Sequence, residues 1–169
     1  SFCKDDSRYI GLVEGGHHRD IPFGIGSMGT GLPASLGFAL SKKMKGEDGV
    51  IYCLMSDGEQ QIGTTWESAL IASMHKLDNL IVICDYNKFQ AMGKTNKILD
   101  IEPLRKKWEA FGWGVYEGDG HDWQDIFLKI EYPYHKEKPT ILLFNTTKGK
   151  GVSFMENNNV WHYAQVKKD

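Results

Sequence analysis

The sequence is poor in cysteine, has no long apolar run and carries almost no net charge. Of its three cysteines, Cys53 and Cys84 lie inside apolar runs. Because the number is odd and a thiol in such a run is more often free than bridged, we expect a reduced compartment. No apolar stretch approaches the ~20 residues that span a bilayer. The formal net charge of −2 argues against binding to nucleic acid or to an acidic membrane surface. We recognise no signal peptide in the polar N-terminal segment, so these absences predict a soluble, cytoplasmic domain.

Short apolar segments alternate with helical patterns along the chain, whose 169 residues are enough for one domain. The strand-like segments are residues 50–55, 80–84 and 140–144, with a weaker one at 113–116. The helical patterns are residues 33–44, 64–75, 101–111 and 122–130, with Thr64 or Thr65 as a cap for the second and Asp122 for the fourth. Nearly continuous apolar strands suit a sheet that is covered on both faces. We therefore predict an α/β fold, a doubly wound, mostly parallel sheet with helices on both faces.

Two polar positions follow the ends of neighbouring predicted strands. Asp57-Gly58 comes after the first strand and Asn87 after the second, thirty positions later, the length of one strand–helix–strand unit. The two side chains offer hard oxygen ligands that suit Mg²⁺ or Ca²⁺, with coordination positions left for phosphate oxygens. Gly58 lets the backbone approach a phosphate closely, and the N-terminus of the following helix adds donors. Asp-Gly and Asn-Lys are also ordinary turn residues, so the spacing alone leaves a structural interpretation open.

The segments around this pair resemble the thiamine diphosphate-dependent transketolases, in particular the N-terminal subunit of two-chain transketolases. The resemblance runs from about Gly16 onward. It rests on Asp57-Gly58 with Asn87, on the Gly-rich loop at residues 26–32, and on the segments 65–69, 76–87, 103–122 and 148–162. It implies the thiamine diphosphate-binding fold for a single domain over residues 1–169, the domain that holds the diphosphate.

The resemblance also implies roles for individual residues. Asp57, Asn87 and the main-chain carbonyl of Phe89 would ligate Mg²⁺. The residues that would contact thiamine diphosphate (thiamine pyrophosphate) are Gly26, Met28, Gly58, Ala91 and His162. Glu59 is assigned to the same site. Two roles remain open for it: acid–base chemistry, or support of the site from a helix N-terminus. His162 would also line the substrate channel, and either His17 or His18 would stand for a substrate histidine of the family.

The activity implied is that of a transketolase (EC 2.2.1.1), as in the pentose phosphate pathway of carbohydrate metabolism. Such an enzyme transfers a two-carbon ketol unit from a ketose phosphate to an aldose phosphate. The 169 residues lack the family's upstream helical section and its pyrimidine-binding domain. The glutamate that activates the cofactor belongs to that second domain. We therefore expect activity only with a partner chain that carries it, in a homodimer or hetero-tetramer.

Two residues near the predicted site depart from the family pattern. Ser56 replaces a Gly, which is a small change, whereas Ile62 stands where a Glu commonly lies at the contact between two cofactor sites. An apolar side chain cannot relay a proton, so carboxylate communication between sites is not expected. Because of Ile62 and the missing section, a second interpretation remains open, in which the chain is a non-catalytic cofactor-binding relic. Deoxyxylulose-phosphate synthase or a 2-oxoacid dehydrogenase remain as alternatives among thiamine diphosphate enzymes.

Overall fold

The fold is built on one parallel sheet. The computed structural model describes residues 15, 21–131 and 136–164. Its strands are β1 (Ile51–Ser56), β2 (Leu80–Tyr86), β3 (Phe89–Gln90), β4 (Gly93–Lys94), β5 (Gly114–Asp119) and β6 (Thr140–Asn145). Four of them form the sheet in the order β1-β2-β6-β5, with every neighbouring pair parallel. The short β3 and β4 form a separate antiparallel hairpin just beyond the end of β2. All four predicted strands are confirmed.

Within the described residues, five helices and two 3-10 turns flank or connect the strands. The helices are α1 (Gly31–Lys45), α2 (Gly63–Met74), α3 (Thr95–Ile98), α4 (Leu104–Ala110) and α5 (Trp123–Glu131), and the 3-10 turns are Asp57–Gln61 and Asn159–His162. The predicted start of α4 at residue 101 was wrong, because the helix begins only after the extended Pro103. Asp122 is confirmed as a cap of α5, since its Oδ1 accepts a hydrogen bond from the Gln124 N–H at 2.9 Å.

Helices cover both faces of the sheet, as predicted for a doubly wound fold. On one face α1, α2 and α4 bury residues such as Leu32, Ala69 and Trp108 against Cys53 and Val82. The opposite face carries a smaller cluster in which α5 packs on β2 and β6. That cluster includes Ile81, Leu142 and Phe144, with Ile126 and Ile130 of α5 packed against them. Burial on both faces explains the continuous apolar runs of β2 and β6, whereas β1 leaves Tyr52 and Leu54 exposed.

Aromatic side chains fill the larger core cluster. The Trp108 ring, which is fully buried, lies 5.2 Å from the ring of Trp66 and 4.7 Å from that of Trp113. Each of two indole N–H groups has a partner on Gln60: Trp108 donates to its Oε1 at 3.1 Å, and Trp66 to its main-chain carbonyl at 2.8 Å. The cluster therefore anchors Gln60, the fourth residue of the 3-10 turn that follows β1.

Cys53 and Cys84 are free and buried, as predicted, and burial raises the pKa of both thiols. Cys3 lies outside the described residues. Over the described ranges, no helix is both long enough and apolar enough to cross a membrane.

Candidate functional site

The ends of β1 and β2 bring Asp57 and the segment around Asn87 together. The two strands pair in parallel, with Ser56 opposite Asp85, so that Asp57 and Asn87 leave the sheet at the same edge. The Oδ2 of Asp57 accepts a hydrogen bond of 2.6 Å from the main-chain N–H of Lys88. Lys88 has a left-handed backbone (φ 68°), a conformation that non-glycine residues rarely adopt outside constrained sites. The prediction that the two strands end at the same edge of the sheet is confirmed.

The Asp57 carboxylate is buried and only half satisfied. Its side chain has no exposed surface, and its Oδ1 has no hydrogen-bond partner. Burial raises the pKa of this carboxyl from 3.8 to about 6, and the nearby charge of Asp85 adds to the effect. The N–H groups of Lys88 and Gly58 act in the opposite direction. A buried acceptor without a partner is costly, and a bound cation would remove that cost.

The amide of Asn87, the residue before the Lys88 that bonds to Asp57, is held in a fixed orientation. Its Oδ1 accepts from the N–H of Phe89 at 2.8 Å, and its Nδ2 donates to the Oδ2 of Asp85 at 3.1 Å. The side-chain hydroxyl of Thr146, just beyond β6, in turn donates to the Oδ1 of Asp85. Asp85 therefore orients the amide that would serve as a ligand, in the way that neighbouring groups orient metal ligands.

These residues fit a divalent cation that prefers oxygen. A carboxylate oxygen without a partner and an amide oxygen are hard donors, of the kind that Mg²⁺ takes together with phosphate oxygens and water. Across the described residues, no cluster of three His, Cys, Asp or Glu side chains could hold a metal unaided. A cation at this edge would therefore need a main-chain carbonyl, water or phosphate to complete its shell.

The Gly-rich loop that precedes α1 is bound to the turn after β1. The N–H of Gly29 donates to the Oε1 of Glu59 at 3.1 Å, and the carbonyl of Gly29 accepts from the hydroxyl of Thr64 at 2.6 Å. Gly29 has φ 81°, and a Cβ there would lie 2.3 Å from the Cγ2 of Ile62. Gly26 and Met28 lie exposed on the same loop. The loop is thus held at Gly29, directly after the two residues assigned to the cofactor.

One local prediction at this turn was wrong. Neither Thr64 nor Thr65 caps α2, whose N-cap is Ile62 without a side-chain cap. Their hydroxyls donate instead to Gly29 and to the carbonyl of Glu59. The predicted helix start at residue 64 agrees with the structure within one residue, since α2 begins at Gly63 after a 3-10 turn. The donors near Gly58 are therefore those of the 3-10 turn.

A segment after β6 returns to the hairpin formed by β3 and β4. The Nδ2 of Asn159 donates to the carbonyl of Ala91 at 2.9 Å, which places the second 3-10 turn against the hairpin. His162 ends that turn, is exposed, and has its Nδ1 3.2 Å from the Nζ of Lys148. Partial burial and the charge of Lys148 lower the pKa of His162. The contact at Ala91 therefore ties the turn that carries His162 to the hairpin that begins at Phe89.

The structure describes His121 but neither of the predicted substrate histidines. His17 and His18 lie outside the described residues. His121 has its main-chain N–H bonded to Asp119, and its Nε2 accepts from the N–H of Thr147 at 2.7 Å. It therefore ties the turn after β5 to the loop after β6.

Sequence reasoning missed three contributors to the site. They are Asp85, the main-chain N–H of Lys88, and the hydroxyl of Thr64. Only Asp85 had a usable signal: it lies two positions before Asn87 at the end of a strand, a spacing that brings both side chains to one side of the chain. The other two depend on which segments pack together.

Comparison with known proteins gives one consistent result. The family described as "Transketolase, thiamine diphosphate binding domain" matches residues 1–169. The chain is 44% identical over 149 residues to one subunit of the apulose-4-phosphate transketolase of Actinobacillus succinogenes, covering 88% of this chain and 54% of that protein. It is 42% identical over 142 residues to the 6-deoxy-6-sulfo-D-fructose transketolase subunit SqwG of a Clostridium species, covering 83% and 52%.

A solved structure agrees with the sequence comparisons. The fold is similar to that of transketolase from Campylobacter jejuni, with a TM-score of 0.83 and 29% identity over 95% of this chain and 26% of that one. The chain spans about half the length of the first curated relatives that it matches.

Proposed function

The chain belongs to the transketolase family, as an N-terminal subunit of the two-chain type, and we propose that it holds thiamine diphosphate and Mg²⁺ at the ends of β1 and β2. The reaction proposed is transfer of a two-carbon ketol unit from a ketose phosphate to an aldose phosphate. The observation that carries the proposal is the buried Asp57 carboxylate, whose Oδ1 has no partner at the edge where Asn87 also lies. Thiamine diphosphate, when bound, supplies the stabilised carbanion that such a transfer needs.

Three segments of the chain contribute residues to cofactor binding in this proposal. Asp57, Asn87 and the main-chain carbonyl of Phe89 hold the metal, which anchors the diphosphate. Lys88 occupies the Oδ2 of Asp57 through its N–H, so the Oδ1 remains for the cation. Gly58, buried next to Asp57, leaves room for the diphosphate to approach the main chain.

The Gly-rich loop and the C-terminal 3-10 turn would enclose the rest of the cofactor. Gly26 offers main-chain groups to the aminopyrimidine and Met28 an apolar side chain to the thiazolium, while Ala91 packs from the hairpin. His162 faces the diphosphate and the substrate channel. Its lowered pKa favours the neutral imidazole, which accepts a hydrogen bond at one nitrogen while donating at the other.

Catalysis requires a second chain in this proposal, and the assembly is a homodimer or hetero-tetramer in the cytoplasm. Two of the relatives are named as subunits, which supports a partner for this chain. Ile62 packs on Gly29. This position therefore contributes packing, whereas a glutamate here would serve communication between the two cofactor sites. For the first substrate assays, the relatives' names suggest the sugar phosphate apulose 4-phosphate and the sulfonated sugar 6-deoxy-6-sulfo-D-fructose.

Cofactor binding is tested by calorimetric titration of thiamine diphosphate in the presence of Mg²⁺. The variant Asn87→Ala removes one oxygen ligand, and we expect its affinity to fall at least tenfold. Asn96→Ala makes the same change at an exposed residue of α3 and is the matched control, with no change expected. Equal affinities for both variants would contradict the assignment of Asn87.

The partner requirement is tested by ketol transfer assays on the chain with and without a pyrimidine-domain partner chain. We expect no turnover by the chain alone and recovery on addition of the partner. Turnover by the chain alone would refute the split-site proposal. Absence of turnover with every such partner, at saturating Mg²⁺ and cofactor, would favour a non-catalytic relic, and release of CO₂ from pyruvate would favour another thiamine diphosphate enzyme.

A further inference from the structure

We propose that Glu59 is a positioning residue, which locks the Gly-rich loop to the end of β1 and so sets where Gly26 and Met28 meet the cofactor. The inference deepens the proposed function and rests on it. It assigns Glu59 a mechanical role: its carboxylate joins two segments of the chain, and it acts on the cofactor only through the loop.

The contacts of Glu59 account for both of its carboxylate oxygens. Oε1 accepts from the N–H of Gly29 at 3.1 Å, and Oε2 accepts from the N–H of Ser56 at 3.0 Å. The side chain is 7% exposed, so both bonds are shielded from water. A fully engaged, buried carboxylate is poorly suited to transfer protons, whereas it is well suited to hold two main-chain segments in register.

Gly29 is held from three directions. Glu59 takes its N–H, the Thr64 hydroxyl donates to its carbonyl at 2.6 Å, and the side chain of Ile62 occupies the space where a Cβ would stand. These three residues lie within six positions of one another, in the turn and helix start that follow Asp57. The same short segment therefore carries the predicted metal ligand and fixes the loop that covers the cofactor.

The clamp depends on a carboxylate in particular. Two N–H groups face it, and a carboxylate presents an acceptor to each. A glutamine of the same size has one carbonyl oxygen and one NH₂ group, so one of the two N–H groups would face another donor. Substitution by glutamine should therefore release either Gly29 or Ser56 with little change in side-chain volume.

The test compares Glu59→Gln with Glu67→Gln in the full chain. Glu67 is exposed on α2, so the control makes the same chemical change away from the loop. Hydrogen exchange of the loop at residues 24–31 is measured without cofactor, and the affinity for thiamine diphosphate with Mg²⁺ is measured separately. For Glu59→Gln we expect exchange to accelerate about tenfold or more, as for the loss of a hydrogen bond to a charged group, and affinity to fall by a similar factor. Glu67→Gln should match the wild type in both.

Two further variants separate the clamp from other effects. Glu59→Asp keeps the charge but is too short to reach both N–H groups, so it should also accelerate exchange; full rescue would mean that charge alone matters and would overturn the clamp. Thr64→Val releases Gly29 from its other side and should accelerate exchange even where Glu59→Gln fails to fold. Unchanged exchange in the folded variants would overturn the proposal.

The two readouts distinguish failure of the clamp from failure of the proposed function. Faster exchange with unchanged affinity for thiamine diphosphate would overturn the link between Glu59 and the cofactor. If the wild type binds no thiamine diphosphate, the proposed function fails and the positioning role fails with it, although the exchange data still decide whether Glu59 holds the loop.

Discussion

Replacing Asp57 by asparagine should raise the stability of the cofactor-free protein more at high pH than at low pH, and it should remove the proposed metal site. The folded carboxyl has a pKa of about 6 against an ordinary value of 3.8, because burial disfavours its charge. The raised pKa means that the folded state binds the proton more tightly than the unfolded state. Stability is therefore lost as the pH rises from about 4 to above 6.

The size of this effect follows from the two pKa values. Ionisation of Asp57 costs the folded state about 1.6 kcal/mol at pH 5 and about 3 kcal/mol at pH 8, relative to the unfolded chain. Asparagine cannot ionise, so the variant does not carry this cost. The difference in the free energy of unfolding, variant minus wild type, should therefore rise by about 1.4 kcal/mol from pH 5 to pH 8. A constant offset is also expected, since the asparagine NH₂ replaces the Oδ1 that has no partner.

Urea denaturation of both proteins at pH 5, 6, 7 and 8 measures this difference. Asp48→Asn, at an exposed position between α1 and β1, is the control for removal of a surface carboxylate. Repeating the pH 8 series with Mg²⁺ and thiamine diphosphate at about 100 times the dissociation constant should add about 2.7 kcal/mol to the wild type and nothing to the variant. A flat difference across the pH range, or stabilisation of the variant by the cofactor, would refute the reasoning.

Two further predictions concern the loop and the core. Gly29→Ala forces a Cβ to within 2.3 Å of the Ile62 side chain at φ 81° and should lower the free energy of unfolding by about 2 kcal/mol or more, measured by urea denaturation. Gly26→Ala meets no atom within 4 Å and should change it by less than about 0.5 kcal/mol; equal losses would contradict the loop geometry. Trp108→Phe leaves a cavity and removes the donor to the Oε1 of Gln60, at a cost of about 2–4 kcal/mol in the same assay, whereas a loss below about 1 kcal/mol would mean that the core repacks.

Local patterns in the sequence were enough to locate the sheet and one half of the site. The runs of β2 and β6 are continuous in apolar residues because both strands are buried on both faces. The run of β1 is equally apolar, although Tyr52 and Leu54 are exposed. Asp57 and Asn87 were predictable as a pair, since one strand–helix–strand unit brings consecutive parallel strands side by side. The strand order was not predictable, because β5 and β6 exchange places along the sheet edge without any change in local pattern.

Tertiary structure alone decided how the Gly-rich loop is held. The sequence favours a capping role for a threonine at the start of a helix, whereas the Thr64 hydroxyl bonds to Gly29, thirty-five positions away. Glu59 likewise accepts hydrogen bonds from Ser56, three positions away, and from Gly29, thirty positions away. A turn signal in the sequence could suggest the first of these bonds, but no local signal could suggest the second. Backbone propensity and hydrophobic periodicity act over a few residues and are written in the chain. The partner of a buried polar group is set by whichever segment packs against it, so it exists only once the fold has formed.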